Sequence, residues 1–167
     1  TLLDGHWVPP EIEENFERLG GRLLDLVEDA WDAVAPRTLR LHGDCHPGNI
    51  LWRERPGQAG EAHFVDLDDA LTGPAIQDLW MLLPADAHAP EREWLLEGYT
   101  TFREFDVAEL ALVEPLRTLR MLHFNAWIAR RWSDPAFPAA FGWFDSPRYF
   151  ESLVGQLQEQ LSILQER

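Results

Sequence analysis

The sequence predicts a mostly helical α+β fold, with a small β element in the first half of a single domain over residues 1–167. Near both ends of the chain, apolar residues recur every three or four positions, which is typical of amphipathic helices. Between residues 38 and 66, short apolar or alternating runs separated by turn residues are typical of strands. Hydrophobic residues make up 46% of the chain, which is enough for one packed core.

The first predicted element is a long helix. Pro10 opens it, because a proline in the first turn sacrifices no helical hydrogen bond, and Pro36 marks its end. The apolar stripe of this helix comprises Ile12, Phe16, Leu19, Leu23, Val27, Ala30, Trp31 and Val34.

Strands follow the helix. The alternating run from Thr38 to His42 predicts a short strand, and Gly43 to Asn49 is rich in turn residues. Apolar runs at Ile50 to Trp52 and at His63 to Asp66 are separated by a polar, glycine-containing tip. The sequence therefore predicts a small β-hairpin.

Prolines divide the next part of the chain into helices. Pro74, after Gly73, introduces a helix through Asp78 to Leu83, and Pro90 introduces a second one that runs to about Phe105. Each proline fits the first turn of its helix.

The last third continues the helical pattern. Asp106 and Glu109 form a capping-box signature for a further helix, and Pro115 either kinks that helix or starts a new one that runs to Trp132. We expect a proline- and aromatic-rich loop from Asp134 to Asp145. A final helix then begins at Ser146 and Pro147, with the apolar stripe Phe150, Leu153, Val154, Leu157, Leu161 and Leu164.

Charge and composition exclude several classes of partner. The net charge of −15 repels polyanions, so we expect neither nucleic acid nor a membrane as partner. An anionic nucleotide would need a cation such as Mg²⁺ beside this acidic chain. The single cysteine, Cys45, cannot form an internal disulfide, and no signal-like segment is recognised. We therefore expect a soluble protein in the reducing cytoplasm. We also expect a monomer, although none of these observations bears on the oligomeric state.

One group of polar residues has the chemistry of phosphoryl transfer. Asp44 lies in the turn-rich segment, Asn49 follows five residues later, and Asp66 ends the second strand of the predicted hairpin. Phosphoryl transfer needs a carboxylate to orient the acceptor hydroxyl and oxygen ligands to hold Mg²⁺ against the phosphates. Asp44 suits the first role, and the hard oxygen donors of Asn49 and Asp66 suit the second.

These residues lie in a recognisable context. The run His42 to Asn49 resembles the catalytic loop of the aminoglycoside phosphotransferase and protein-kinase-like superfamily. Three longer segments resemble bacterial serine/threonine protein kinases of the stress response within that superfamily, so that the resemblance extends over nearly the whole chain. Those segments are Arg40 to Trp52, Phe64 to Leu83 and Glu114 to Pro138.

The resemblance implies a fold and a set of roles. The chain would be the C-terminal lobe of a protein-kinase-like fold, with the catalytic loop on its β-hairpin. Asp44 would be the proton acceptor, Asp66 would stand in the place of the metal-binding aspartate of protein kinases, and Asn49 with Asp66 would bind Mg²⁺ and, through it, ATP. The phosphate acceptor would be a serine or threonine of a protein.

Other parts of the family pattern are missing from this sequence. The glycine-rich phosphate loop, the anchoring lysine and the adenine hinge have no counterpart, and all 14 basic residues are arginine. We therefore expect this chain alone to bind ATP weakly and to transfer no phosphate, and we expect ATP to bind mainly through an N-terminal lobe.

Neighbouring residues have candidate supporting roles. We expect His42 to fix the loop backbone rather than to bind a metal, and His46 to face solvent or to brace the loop rather than to transfer protons. Asp78 resembles the buried aspartate of the superfamily that accepts hydrogen bonds from the catalytic loop. Asp68 and Asp69 would cap or brace the following segment, although either could supplement the metal site through water.

Two further features have structural interpretations. Cys45 is expected to be a packed, unreactive thiol, because neighbouring carboxylates disfavour the thiolate. Arg130, Arg131 and Trp132 could form a substrate patch, but a helix end whose arginines face the negative pole of the dipole is favoured.

Three alternatives stay open at this point. A kinase for small hydroxylated molecules, like the aminoglycoside, choline or homoserine kinases, uses the same general loop. A metallophosphoesterase is a rival because Gly43, Asp44, Cys45 and His46 mimic a metal-binding loop. A non-catalytic acidic module that binds a basic partner is the third.

Overall fold

The computed structural model describes residues 2–57, 59–84 and 89–166 and is mostly helical, with two small antiparallel sheets of two strands each. This confirms the predicted fold class. The residues form two compact units, one over Thr1–Ala33 with Glu114–Arg167 and the other over Val34–Val113. The single domain over residues 1–167 stays a prediction.

The first unit is built from helices. Helix α1 (Pro10–Val34) runs from the predicted proline to just before Pro36, and α6 (Pro147–Gln165) begins after Ser146, whose hydroxyl accepts a hydrogen bond from the Tyr149 N–H at 3.3 Å. Trp31 of the first predicted apolar stripe is exposed, but most of the two stripes packs into one core, since burial removes these apolar side chains from water. Its fully buried members include Leu23, Ile128, Phe144, Phe150 and Leu157.

The second unit contains the strands. Strands β2 (Ile50–Arg53) and β3 (Glu61–Phe64) form the predicted hairpin, with Ile50 opposite Phe64 and Leu51 opposite His63. The early strand is β1 (Leu39–Arg40), and it pairs with β4 (Thr72–Gly73). Strand β4 was not predicted, because two residues carry too little pattern to be recognised.

Helices of the second unit are shorter than predicted. The segment from Asp78 to Leu83 is divided between α2 (Ile76–Leu79) and a 3₁₀ helix (Trp80–Leu82). Helix α3 (Pro90–Thr100) stops before the predicted end at Phe105. At its end, the hydroxyls of Thr100 and Thr101 both donate to the Glu97 carbonyl, at 2.8 and 3.1 Å.

Of the two residues in the predicted capping box, Asp106 caps the following helix and Glu109 does not. Asp106 does cap the following 3₁₀ helix (Val107–Leu112), since its carboxylate accepts from the Ala108 N–H at 3.0 Å. Glu109 instead accepts from the Ile76 N–H at 3.0 Å and is buried. It therefore satisfies the backbone at the start of α2 rather than its own helix.

Helices α4 and α5 decide the role of Pro115 and the structure of the predicted aromatic-rich loop. Helix α4 (Val113–Arg131) begins two residues before Pro115, so that this proline lies in a first turn, as in the second of the two alternatives. The predicted loop from Asp134 to Asp145 contains a short helix, α5 (Ala136–Ala140). Just before this helix, the Asp134 carboxylate accepts a hydrogen bond from the Ala136 N–H at 3.0 Å.

In the described ranges, no helix has both the length and the apolar character needed to span a membrane.

Candidate functional site

The loop that connects β1 to the hairpin passes through a position that only glycine can occupy. Gly43 has a φ of 94°, in the left-handed region that side chains disfavour. A Cβ on Gly43 would lie 2.0 Å from the carbonyl oxygen of Asp69, well inside any allowed contact. The backbone of Asp69 therefore packs directly against the loop at Gly43, the residue before Asp44.

A carboxylate from α2 holds the same part of the loop. The two oxygens of Asp78 accept hydrogen bonds from the backbone N–H groups of His42, at 2.8 Å, and of Gly43, at 2.9 Å. Bonds of this kind, to an ionised acceptor, are roughly twice as strong as neutral ones. Asp78 thus has the supporting contacts that the sequence predicts for it.

The hairpin brings the three predicted site residues to one end of β2 and β3. The side-chain Nδ2 of Asn49 donates to the backbone carbonyl of Asp44 at 3.0 Å. The backbone carbonyl of Asn49 accepts from the N–H of Val65 at 3.0 Å, and Asp66 is the next residue. Asn49 is therefore bonded on one side to Asp44 and on the other to the residue before Asp66.

Asp66 departs from ordinary backbone geometry. Its φ of 63° lies in the left-handed region, although it is not a glycine. That conformation costs roughly 1–2 kcal/mol for an L-residue, and such strain clusters at functional sites. Strand β3 ends at Phe64, two residues before the predicted strand end at Asp66, and Asp66 is exposed.

Asn49 and Asp66 suit a magnesium ion chemically. Because Nδ2 of Asn49 donates to the Asp44 carbonyl, its Oδ1 faces a different direction and can serve as a ligand. An amide oxygen and a carboxylate are the hard donors that Mg²⁺ takes, alongside water and phosphate oxygens. Among the described residues, no cluster of three or more His, Cys, Asp and Glu side chains suits a metal ion.

Two histidines brace the loop. Nε2 of His42 lies 2.9 Å from the Val65 carbonyl, which ties the start of the loop to β3 and its exit. The His46 Nδ1 accepts from the Gly48 N–H at 3.0 Å, which places the proton on Nε2, 3.4 Å from the Asp44 carboxylate. A Cβ on Gly48 would lie 2.7 Å from the His46 ring, so the absence of a side chain at Gly48 leaves room for this ring.

Cys45 is buried beside the carboxylates. Burial first, and then the negative charges of Asp78 and Asp44, raise the pKa of the Cys45 thiol to about 11. Thiolate chemistry near neutral pH is therefore disfavoured, as the sequence predicts.

The other candidates named from the sequence include Asp68, Asp69 and Arg131. Asp68 and Asp69 have exposed side chains, and Asp69 contributes its backbone carbonyl against Gly43. Arg131 belongs to the other unit, where its guanidinium lies 5.0 Å from the centre of the Trp127 ring. Sequence analysis missed Gln77, whose Nε2 donates to the Gly43 carbonyl at 3.0 Å, because no local pattern signals a contact across 34 residues.

An apolar pocket of about 760 Å³ adjoins the loop from the side of α3. His42, Cys45 and Asp78 line it together with Trp94 and Tyr99. The residues described as lining this pocket do not include Asp44, Asn49 or Asp66.

Comparisons with known proteins identify relatives over nearly the whole chain. Stress response kinase A of Salmonella choleraesuis is 46% identical over 166 residues, which is 98% of this chain and 48% of that protein. Serine/threonine protein kinase RdoA of Salmonella typhimurium is 46% identical, and stress response kinase A of Escherichia coli is 45% identical, over the same shares. The chain thus spans about half the length of the curated relatives it matches.

The family comparison includes the loop and the hairpin. Residues 2–113 match the phosphotransferase enzyme family, and this range contains Asp44, Asn49 and Asp66. The match extends over more than half of the 167 residues. The chain therefore belongs to the phosphotransferase enzyme family.

Proposed function

We propose that this chain carries the catalytic and Mg²⁺-binding part of an ATP-dependent kinase that phosphorylates a hydroxyl group. One observation carries the proposal: Asn49 is hydrogen-bonded both to the Asp44 carbonyl and to Val65, the residue before Asp66. A carboxylate, an amide oxygen and a second carboxylate at one end of a hairpin are the groups that phosphoryl transfer requires.

Asp44 would act on the acceptor hydroxyl. Phosphoryl transfer depends on positioning more than on covalent chemistry, so the carboxylate mainly orients the hydroxyl and accepts its proton. The loop supports this role, because Gly43 on one side and Asn49 on the other are both held by hydrogen bonds. His46, 3.4 Å from the carboxylate, would help to keep it in place.

Asn49 and Asp66 would hold the metal. Mg²⁺, when bound, would neutralise charge on the phosphates of ATP. The chain itself carries a net charge of −15 and has no lysine, so no ammonium group can balance those phosphates. For the same reason we propose that ATP binds mainly through an N-terminal lobe and that this chain alone transfers no phosphate.

The acceptor we propose is a serine or threonine of a protein. The support is the similarity to a relative that is named a serine/threonine protein kinase, at 46% identity over 98% of this chain. A small hydroxylated molecule is the alternative, since the loop itself does not choose between the two. A role as a monomer in the cytoplasm, in the response to stress, belongs to the same proposal.

The test is transfer from γ-³²P-labelled ATP by the protein that joins this chain to a nucleotide-binding lobe, with a generic protein substrate and a panel of small alcohols. Asp44→Asn should lower kcat by about 100-fold or more, because the general base is lost. Asp25→Asn is the matched control, since Asp25 is an exposed aspartate of α1.

Three results would contradict the proposal. Undiminished transfer by Asp44→Asn would remove this residue from the chemistry. Hydrolysis of a phosphoester without ATP, supported by a transition metal, would favour the metallophosphoesterase. Absence of any ATP consumption by the complete wild-type protein would favour the non-catalytic acidic module.

A further inference from the structure

The peptide group that joins Gly43 to Asp44 is held by a side chain from outside the loop. Nε2 of Gln77 donates to the Gly43 carbonyl oxygen at 3.0 Å. That oxygen belongs to the peptide plane whose other end is the backbone nitrogen of Asp44. Rotation of this plane changes the direction in which Asp44 leaves the loop, so the hydrogen bond acts directly on the orientation of Asp44.

The neighbouring residue holds the other side of the same glycine. Asp78 accepts from the Gly43 N–H at 2.9 Å, while Gln77 donates to the Gly43 carbonyl. Consecutive residues of α2 therefore hold both backbone groups of Gly43. Glycine needs this restraint more than other residues, because it has the greatest backbone freedom.

Gln77 projects from a fixed backbone. Its N–H donates to the Pro74 carbonyl at 3.0 Å, and the preceding N–H, of Ile76, is bonded to the buried carboxylate of Glu109 at 3.0 Å. A side chain anchored in this way can fix the geometry of a neighbouring loop, which is the function of supporting residues around a site.

We infer that Gln77 is a positioning residue that sets the orientation of Asp44 for the acceptor hydroxyl. The inference rests on the proposed phosphotransferase function. Gln77 acts through the Gly43 carbonyl, and the inference requires of it no contact with ATP or the acceptor. Its removal should therefore lower kcat while the KM for ATP stays close to that of the wild type.

The experiment compares three variants in the protein that joins this chain to a nucleotide-binding lobe. Gln77→Leu removes the donor, and Gln77→Glu replaces the amide by a group of the same shape that, when ionised, only accepts hydrogen bonds. Gln156→Leu is the matched control, because Gln156 is an exposed glutamine of α6. We expect kcat to fall by about 10-fold to 100-fold in both Gln77 variants, since small displacements of reacting groups have effects of this size.

A spectroscopic readout tests the contact independently of activity. The dipeptide Gly–Asp occurs once in this sequence, at Gly43 and Asp44, so labelling glycine with ¹³C at the carbonyl and aspartate with ¹⁵N selects that one peptide bond within the chain. Asp44→Asn assigns the signal by removing it. Both Gln77 variants should shift this signal, and Gln156→Leu should leave it unchanged.

The outcomes separate the inference from the function on which it rests. A shifted carbonyl signal, a lower kcat and an unchanged KM for ATP support the positioning role. A wild-type kcat in Gln77→Leu, or an unshifted signal, overturns it while the proposed function stands. An inactive wild-type protein refutes the proposed function itself, whatever the spectrum shows.

Discussion

Replacing Gly43 by alanine tests whether the loop before Asp44 depends on its close contact with Asp69. The new Cβ would lie 2.0 Å from the carbonyl oxygen of Asp69 and 2.8 Å from its carbonyl carbon. Real Cβ atoms do not approach backbone atoms so closely, and neither backbone is a flexible side-chain end that could turn aside. One of the two segments must therefore move by more than 1 Å, roughly the deficit against ordinary van der Waals contact.

The loss of unfolding free energy expected for Gly43→Ala has two parts. A side chain at positive φ costs about 1–2 kcal/mol, and forcing an extra carbon into a filled site adds typically about 1–3 kcal/mol. Gly43→Ala should therefore lower the free energy of unfolding by about 2–5 kcal/mol. Gly57→Ala is the control: Gly57 has a φ of 74°, but no described atom lies within 4 Å of its ideal Cβ, so only the first part applies.

The assay is urea unfolding of both variants, with the dependence of the unfolding free energy on urea compared with that of the wild type. The reasoning requires a larger loss for Gly43→Ala than for Gly57→Ala. Equal losses would mean that the loop relaxes freely around the new carbon. In that case the backbone of Asp69 does not hold the segment before Asp44.

Three further results are expected. Because the pKa of the Cys45 thiol is raised to about 11 from an ordinary 9.0, iodoacetamide at pH 8 should alkylate it about 100-fold more slowly than in the unfolded chain. Mass spectrometry measures this rate, and equal rates in the folded and unfolded chain would contradict the burial of Cys45. Burial raises the pKa of the Glu109 carboxyl above its ordinary 4.5, so the folded state holds this proton more tightly, and the stability that this group contributes is lost as the pH rises through the raised pKa. In urea unfolding between pH 4 and 7, Glu109→Gln should remove this loss of stability. Parallel pH profiles for the variant and the wild type would contradict the raised pKa. Asp78→Asn exchanges one acceptor for a donor facing His42 or Gly43 and should lower the free energy of unfolding by about 2–4 kcal/mol, whereas an unchanged urea midpoint would show that the carboxylate does not hold the loop.

Local pattern was enough to predict the elements that carry the site. The hairpin is visible in the sequence because two apolar runs are separated by a polar, glycine-containing tip, and Asn49 and Asp66 fall at its base for that reason. The long helices follow from apolar periodicity and from prolines in their first turns. The supporting role of Asp78 was predicted by family resemblance, and its contacts with the loop agree with it.

Contacts between distant residues could not be predicted in the same way. Glu109 fits a local capping box by spacing, yet burial of its carboxylate against the Ile76 N–H, 33 residues away, is the contact that forms. Gln77 has no local signature at all, and its role depends on where the fold places the Gly43 carbonyl. The positive φ of Asp66 could not be predicted either, since an aspartate alone does not require it.

The most direct test of the central claim, that Asn49 and Asp66 share one metal ion beside Asp44, is Mn²⁺ binding in place of Mg²⁺. Electron paramagnetic resonance would count the bound Mn²⁺ in the protein that joins this chain to a nucleotide-binding lobe, with a non-hydrolysable ATP analogue present. Asp66→Asn and Asn49→Ala should each weaken binding by at least about 100-fold, because the first removes the negative charge of a ligand and the second removes a ligand oxygen, while Asp25→Asn should not change it. Equal Mn²⁺ affinity in the wild type and in Asp66→Asn would contradict the claim.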